Sequence, residues 1–194
     1  MALSETSSLF KHLCEIYHQY RQTKDNRDKG LFYSTDCRQI CRQDPSYAAQ
    51  DRDTIVRYLD ESGEMVERIL REAGWDSQDT EATTTKASYY TVRPLTGDEA
   101  NEFGDARHVI PVGFSSVEEL QARAKAENWT GLRVNMWTDD GGDRGLLVKV
   151  KYWWRLENVG NGGDGAWKQV LHDILYLGPR NGTEESDGGF RVQD

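Results

Sequence analysis

Residues 167–177, near the C-terminus, combine groups that could transfer protons with an alternating apolar pattern. The segment reads WKQVLHDILYL, so His172 and Asp173 are neighbours and Tyr176 follows them. Adjacent residues of a β-strand point to opposite faces, so only one of His172 and Asp173 can face the protein core. An imidazole exchanges a proton near neutral pH, which makes His172 a candidate general acid or base. The alternation leaves open which of the two residues faces a pocket.

A catalytic His172 has structural alternatives. The imidazole could be a core histidine that is hydrogen-bonded to a neighbour, or it could face a dimer interface while Asp173 faces the cavity. If the face that carries His172 is the inner one, Tyr176 lies on the same side, about 13 Å further along at ~3.3 Å per residue. Tyr176 is then a candidate to polarise a carbonyl group of a ligand.

Aromatic residues are dense in the second half of the chain and predict a flat or largely apolar ligand. The run 146–155 shows the clearest period-two pattern, with Tyr152 and Trp154 at the end of its more apolar face. That face is predicted to point inward, and these two residues are predicted to form a wall of a cavity. The other predicted ligand contacts are Tyr47, Tyr90, Asn135 and Trp137. Asn135 could fix a carbonyl through its amide, or it could face solvent.

The composition excludes several classes of partner. The 194 residues carry a formal net charge of -9, whereas a nucleic-acid-binding surface needs a basic face. No apolar run approaches the roughly 20 residues that span a bilayer, so no membrane contact is expected. The N-terminal residues lack the pattern of a secretory signal, and three cysteines without framework spacing are typical of reduced thiols. We therefore expect a cytoplasmic protein.

Cofactor and metal signatures are also missing from the sequence. There is no dinucleotide-binding glycine motif after a strand, no phosphate-binding loop and no H-E-x-x-H motif, so no cofactor is expected. Cys37 and Cys41 are four residues apart, but no histidine lies near them in the sequence. Since zinc sites need three or four ligands, the two cysteines are predicted to be packing residues and no metal is expected.

The elements that must position these residues are predicted as helices first and strands afterwards. Apolar residues at three- and four-residue spacing predict helices at 4–21, 51–74 and 116–127. Apolar runs, several of them alternating, predict strands at 87–92, 132–137, 146–156 and 167–177. This order predicts an α+β fold with an antiparallel meander. Residues 1–178 are predicted to form a single domain.

Two polar segments interrupt or follow these elements. Residues 75–86 are acidic and polar and are predicted to form a surface loop or a flexible excursion. Residues 179–194 are predicted to form a flexible C-terminal tail.

The final hairpin, LLVKVKYWWRLE followed by WKQVLHDILYLG, carries a resemblance to a known family. With the helices before it, it resembles the SnoaL-like members of the nuclear transport factor 2-like superfamily over about residues 5–178, and among them fungal proteins found beside secondary-metabolite enzymes. The resemblance implies a cone-shaped, curved antiparallel sheet wrapped around N-terminal helices, and a largely apolar pocket open at one end. It also implies a homodimer formed through the outer sheet face. The helix near 116–127 departs from the shortest members and is predicted to be an insertion.

The resemblance further implies a role for Tyr33 and Asp36, because several enzymes of this superfamily carry acidic or tyrosyl groups at the cavity mouth. Burial against aromatic walls would raise the pKa of Asp36 and make it a base, although an aspartate after a strand also commonly caps a turn. The implied function is a cofactor-independent isomerase, cyclase or dehydratase. In it, Asp36 or His172 removes a proton and Tyr176 or Tyr33 polarises a carbonyl. The alternative is a non-catalytic small-molecule-binding or dimeric interaction protein.

Overall fold

The computed structural model describes residues 3–74, 87–139, 145–158 and 165–194. The helices in this part of the chain are α1 Ser8–Gln22, α2 Asn26–Lys29, α3 Arg52–Glu72, α4 Ala106–Val109 and α5 Val117–Ala126. The strands are β1 Tyr33–Cys41, β2 Ala87–Pro94, β3 Thr130–Asp139, β4 Leu146–Glu157, β5 Ala166–Pro179 and β6 Phe190–Gln193. The predicted loop at 75–86 lies outside the described residues.

The six strands form one curved, unclosed sheet in the order β1-β5-β4-β3-β2-β6. The neighbouring strands β5, β4, β3, β2 and β6 pair antiparallel, whereas β1 pairs parallel to β5. The predicted α+β class is confirmed, and the expectation of a wholly antiparallel sheet is corrected at β1. A chain that enters the sheet from the helices can lie parallel to a late strand because a long connection separates the two.

Helices α1 and α3 pack against one face of the sheet, which we call the inner face. Both start at side-chain N-caps, where Ser7 accepts a hydrogen bond from a backbone N–H of α1 and Asp51 does the same for α3. Helix α1 buries one side of its surface, formed by Phe10, Leu13, Tyr17 and Tyr20. Of the 21 residues of α3, Ile55 is the one that is fully buried. The inner face is therefore held firmly by α1 and loosely by α3.

The opposite face, which we call the outer face, is covered by the segment between β2 and β3. This segment, residues 95–129, contains α4 and α5, and it packs Phe103, Val109 and Leu120 against Trp153 and Leu171 of the sheet. Helix α5 begins after the N-cap Ser116, as the sequence predicts for an inserted helix. We call residues 95–129 the insertion, after the prediction for their helix α5. They form a second core on the face that the family resemblance assigns to dimerisation.

The C-terminal residues do not form the predicted flexible tail. Residues 190–193 are strand β6, which pairs antiparallel with β2 and extends the sheet. Before it, the turn at residues 183–187 covers the outer face, where the Asn135 amide donates to the Glu184 carbonyl oxygen at 2.9 Å and to Asp187. Within the described ranges, no helix has the length and apolar character needed to span a membrane.

Candidate functional site

Two β-bulges determine which side chains of β5 face inward. Trp153 pairs with Leu171 and Trp154 pairs with Gln169, which leaves Val170 as an extra residue between the two pairs. In the second bulge, Leu175 is the extra residue. Each bulge reverses the alternation, because two residues of the bulged strand oppose one residue of its partner.

The bulge at Val170 brings Gln169 and His172 to the same, inner face although they are three residues apart. Gln169 pairs with Trp154, and His172 pairs with Tyr152, both on the inward face of β4. Asp173 pairs with Lys151 on the outer face, which answers the question that the sequence left open. Tyr176 pairs with Lys149, so it also faces outward, and its hydroxyl donates to the Pro179 carbonyl oxygen at 2.8 Å. The prediction that His172 and Tyr176 share a cavity is wrong.

A set of uncharged polar side chains surrounds His172, and we call it the inner cluster. Its members come from α1, β1, β4 and β5: Tyr17, Tyr20, Tyr33, Cys37, Tyr152, Trp154, Gln169 and His172. The rings of Tyr33 and Tyr152 each lie 4.9 Å from the imidazole ring, centroid to centroid, in edge-on contacts. The sheet thus presents an imidazole between two phenols.

His172 is held in the neutral form. Its Nε2 lies 2.6 Å from Oε1 of Gln169. With the amide in this orientation the oxygen accepts, which places the imidazole proton on Nε2. Burial lowers the pKa of His172 from 6.5 to about 3 because the charged form would be desolvated. Among the described residues, Nδ1 has no hydrogen-bond partner, so it carries a free lone pair.

The phenols and the thiol of the inner cluster are also neutral. The Tyr33 hydroxyl donates to the Tyr20 hydroxyl at 2.8 Å, and burial raises the pKa of Tyr33 and of Tyr152 well above 10. Burial likewise raises the pKa of the Cys37 thiol. Cys37 Sγ lies 3.8 Å from the same Nε2 that contacts Gln169, so the imidazole does not bridge thiol and amide as in a nucleophilic triad.

Side chains fill much of the interior around the inner cluster. The Tyr17 ring lies 5.4 Å from the rings of Tyr90 and Tyr152, and all three are buried. A cavity of about 90 Å³ lies on the same face, between α3 and the sheet, lined by residues that include Cys41, Tyr47 and Ile174. Ile174 is the next inward residue after His172 along β5. The cavity therefore adjoins the inner cluster, but it is smaller than a pocket that holds a small molecule, which the family resemblance predicts.

A comparison with protein-family profiles matches residues 2–193 to the SnoaL-like domain. The chain belongs to the SnoaL-like domain family. The matched region includes all of the elements described above and extends past residue 178 through β6. Searches of curated proteins and of solved structures found no match.

The inner face of this SnoaL-like domain carries five of the residues predicted to contact a ligand or to act on one. Tyr33, Tyr152, Trp154 and His172 belong to the inner cluster, and Tyr90 lies next to it with its hydroxyl 3.1 Å from His18 Nδ1. Tyr47 lies apart from them, at the cavity under α3.

Asn135 and Trp137 face outward in the SnoaL-like domain and do not join the inner cluster. They pair with Lys149 and Leu147 of β4, which lie on its outer face. Asn135 is fully buried beneath the C-terminal turn, so neither the predicted ligand contact nor the solvent-facing alternative describes it. Trp137 lies 5.8 Å from the Tyr89 ring, in a stacked contact.

Asp36 lies at the outer face, within an ion cluster with the insertion. Arg155 Nη2 donates to Asp36 Oδ1 at 3.0 Å, and Ser34 and Arg123 also donate to this carboxylate. Partial burial alone would raise the pKa of Asp36, but the hydrogen bond from Ser34 and the two guanidinium groups outweigh it and lower the pKa to about 2. The prediction that burial would raise this pKa is wrong, and Asp36 is a structural anion.

Asp173 is the centre of a second ion cluster on the outer face. Arg42 binds it through two atoms, with Nε at 2.9 Å and Nη2 at 2.6 Å, and Lys151 Nζ lies 3.4 Å from Oδ2. Lys151 also donates to Glu102 of the insertion at 2.7 Å. Asp173 therefore fastens β1, β4 and the insertion together and does not face the inner cluster.

The sequence interpretation missed four members of the inner cluster, one of which, Cys37, it predicted to be a packing residue. Tyr17 and Tyr20 are three residues apart on α1, and this helical spacing predicts that they face the core but not that they contact a candidate site. Nothing in the sequence marks Gln169 as a neighbour of His172, because simple alternation places the two side chains on different faces of the strand.

The described residues contain no group of three or more His, Cys, Asp or Glu side chains arranged to hold a metal ion. Cys37 and Cys41 are buried free thiols, and Cys14 is free and partly buried. The inner cluster itself supplies neutral acids and bases, because burial keeps its phenols, its thiol and its imidazole uncharged.

Proposed function

We propose that this SnoaL-like domain is a cofactor-independent acid–base enzyme of isomerase, cyclase or dehydratase type, acting on a largely apolar natural-product intermediate that carries a carbonyl group. The observation that supports it most is the neutral His172, with its proton fixed on Nε2 and its Nδ1 free, between the rings of Tyr33 and Tyr152. The family includes polyketide cyclases and isomerases, which fits a reaction of this kind.

In the proposed reaction, His172 Nδ1 removes a proton from the carbon next to the substrate carbonyl. The C–H electron pair moves into the new C=C bond, and the carbonyl oxygen becomes an enolate oxygen. The imidazolium then returns the proton to the same or another carbon, so an isomerisation leaves the protein unchanged. Tyr33 donates a hydrogen bond to the oxygen as its charge develops.

The low pKa of His172 belongs to the ligand-free protein. A base with a pKa of about 3 is weak near neutral pH. An enolate oxygen that forms beside the ring would favour the imidazolium, because an opposite charge within ~4–6 Å raises the pKa of a histidine. Gln169 keeps Nδ1 available in the meantime by accepting the hydrogen bond of Nε2–H.

Substrate entry requires a movement of α3 in this proposal. The cavity of about 90 Å³ under α3 is smaller than the roughly 300–1,000 Å³ of small-molecule pockets. Helix α3 packs one buried side chain, Ile55, and the partly buried Val56, Tyr58 and Leu59 against the core. Helix α1 buries four side chains, so α3 is the inner-face helix that can separate from the sheet at the lower cost. Its displacement would enlarge the cavity towards His172.

The test uses 2-tetralone, a bicyclic ketone with acidic protons beside its carbonyl. In D₂O, the protein is expected to accelerate exchange of these protons for deuterium, followed by loss of their proton NMR signals. His172→Ala should lower the protein-dependent rate by about 10²-fold or more, since a general base contributes typically 10²–10⁴-fold. Asp36→Asn is the matched control and should leave the rate unchanged. Equal rates for the wild type and His172→Ala would refute the assignment.

A second candidate, a non-catalytic binding protein, is favoured by the hydrogen bonds inside the cluster. Tyr33 donates to Tyr20, and His172 bonds to Gln169, so these polar groups already have partners. Such a protein would bind 2-tetralone without accelerating deuterium exchange at any concentration of ketone.

We also propose a homodimer and a cytoplasmic location. The family resemblance supports the dimer, and the insertion that covers the centre of the outer face favours an interface elsewhere on the molecule. The three free cysteines support a reducing compartment. Light scattering of the purified chain tests the dimer directly, and a monomer at micromolar concentration would refute it.

A further inference from the structure

We infer that Trp154 and Gln169 form a binding site for one carbonyl oxygen of a ligand, with the indole N–H and the side-chain amide NH₂ as its two donors. This inference rests on the proposed function and names the chemical group that the site recognises. A neutral ketone, or the enolate formed from it, is the expected occupant.

The two donors are buried and have no acceptor. Trp154 and Gln169 each have 0% exposed surface. Trp154 Nε1 and Gln169 Nε2 have no hydrogen-bond partner among the residues that the structure describes. Buried polar groups in folded proteins are nearly always paired, so two unpaired donors at one place point to an acceptor that arrives with a ligand.

The two donors belong to residues that are paired across neighbouring strands. Trp154 and Gln169 are directly opposite each other on β4 and β5, and both face inward. Opposed residues on antiparallel strands have Cβ atoms about 4.5–5.5 Å apart. In the proposed site, one ligand oxygen between the two side chains accepts from the indole N–H and from the amide NH₂.

The position of Gln169 connects this oxygen site to the proposed base. Its Oε1 accepts from His172 Nε2, so only the NH₂ end remains for a ligand. Tyr33 pairs with Gln169 along the parallel β1–β5 ladder. A carbonyl oxygen held by Trp154 and Gln169 would thus lie beside the imidazole that takes the proton.

The charges around the site favour a neutral ligand over an anion. Within the inner cluster every titratable side chain is a phenol, a thiol or an imidazole. Two described cations lie at its edge: Lys29 Nζ is over the Tyr20 ring at 5.6 Å, and Arg21 is over the Tyr90 ring at 5.9 Å and is paired with Asp194. Since burying a carboxylate without a cation is costly, the site should prefer ketones to carboxylic acids of the same shape.

The experiment follows the indole N–H signals of the six tryptophans in ¹H–¹⁵N NMR spectra while 2-tetralone is added, with the hydrocarbon tetralin as the oxygen-free control. The Trp154 signal, assigned by its loss in Trp154→Phe, should move downfield with the ketone and not with tetralin. The ketone should bind at least 10-fold more tightly than tetralin. Gln169→Met should remove most of this preference, whereas Trp167→Phe should keep it.

Two results would overturn the inference. One is a Trp154 signal that ignores 2-tetralone up to its solubility limit. The other is equal affinity for ketone and hydrocarbon with a persistent water contact at the indole N–H, which would show that an internal water satisfies the donors. The outcome is separable from that of the proposed function. A preference for the ketone without deuterium exchange would support the oxygen site and refute the proposed enzyme. Deuterium exchange without a preference for the ketone would support the enzyme and refute the oxygen site.

Discussion

The two faces of the sheet hold ionisable side chains in opposite states. On the inner face, His172, Tyr33 and Tyr152 are neutral, because burial lowers the pKa of the imidazole to about 3 and raises the pKa of the phenols. On the outer face, Asp36 and Glu102 are charged, with pKa values lowered to about 2 despite partial burial.

The difference between the faces comes from what covers each of them. The outer face is covered by the insertion, which supplies Arg123 to Asp36 and Glu102 to Lys151, so each charge on the sheet meets an opposite charge. The inner face is covered by α1, which supplies Tyr17 and Tyr20. A phenol cannot neutralise a buried ion as a guanidinium can, so the inner groups lose their charge. The ion pairs of the outer face thus attach the insertion to the sheet, and the inner face offers neutral groups that could donate or accept protons.

The largest effect is expected from removing Asp173, the buried carboxylate of the outer face. Asp173→Ala removes the buried carboxylate and leaves Arg42 and Lys151 with the half-exposed Glu102 as their shared partner. Removing one partner of a buried ion pair costs about 3–5 kcal/mol of unfolding free energy. Urea denaturation measures this change. The control is Asp53→Ala, whose partner Arg52 lies at the surface, and it should change stability by less than about 0.5 kcal/mol. Equal losses in both variants would show that the cluster does not fasten the insertion.

The groups on the two faces should change the stability of the protein in different pH ranges. Below pH 6.5 the unfolded chain binds a proton at His172 while the folded protein does not, so stability falls as the pH drops towards 3, by about 1.4 kcal/mol per unit for this group. Asp36, Glu102 and Asp187 have lowered pKa values, so their contribution is lost only as the pH falls from about 4 to about 2.

Urea denaturation of the wild type and of His172→Leu between pH 7 and pH 4.5 isolates the inner-face contribution. The stability of the wild type relative to the variant should fall steadily over this interval, because the other histidines contribute equally to both proteins. A difference that stays constant with pH would contradict a buried neutral imidazole.

The smallest effect concerns the hydrogen bond between two inner phenols. Tyr33→Phe keeps the ring in place and removes the donor to Tyr20, which should lower the unfolding free energy by about 1 kcal/mol. Tyr176→Phe, which removes an outer-face bond to the Pro179 carbonyl, is the matched comparison. A loss at Tyr33 well above 3 kcal/mol would mean that the hydroxyl supports more of the cluster than this one bond.

The sequence predicts the faces of β4 correctly and those of β5 only in part. In β4 the apolar alternation is continuous, and its inward residues Val150, Tyr152 and Trp154 are buried on the inner side. In β5 the extra residues Val170 and Leu175 shift the alternation twice. These shifts depend on how β5 pairs with β4, and the residues of β5 alone do not show them.

The error at Asp36 has a similar cause, because its partners are distant in the sequence. Arg123 and Arg155 lie 87 and 119 residues further along the chain. The insertion that carries Arg123 was predicted as a helix, but its docking on the outer face depends on the complementary core of Phe103, Leu120 and Trp153. The presence of the helix could therefore be predicted from the local sequence pattern, whereas the lowered pKa of Asp36 could not.

The most direct test of the central claim is the ¹⁵N NMR spectrum of the His172 imidazole between pH 8 and pH 4.5. The signals are assigned by their loss in His172→Leu. The neutral ring should persist over the whole range, with the proton on Nε2 and a bare Nδ1, because Gln169 accepts from Nε2 and burial opposes the charge. A titration midpoint near the ordinary value of about 6.5, or a proton on Nδ1, would contradict the account.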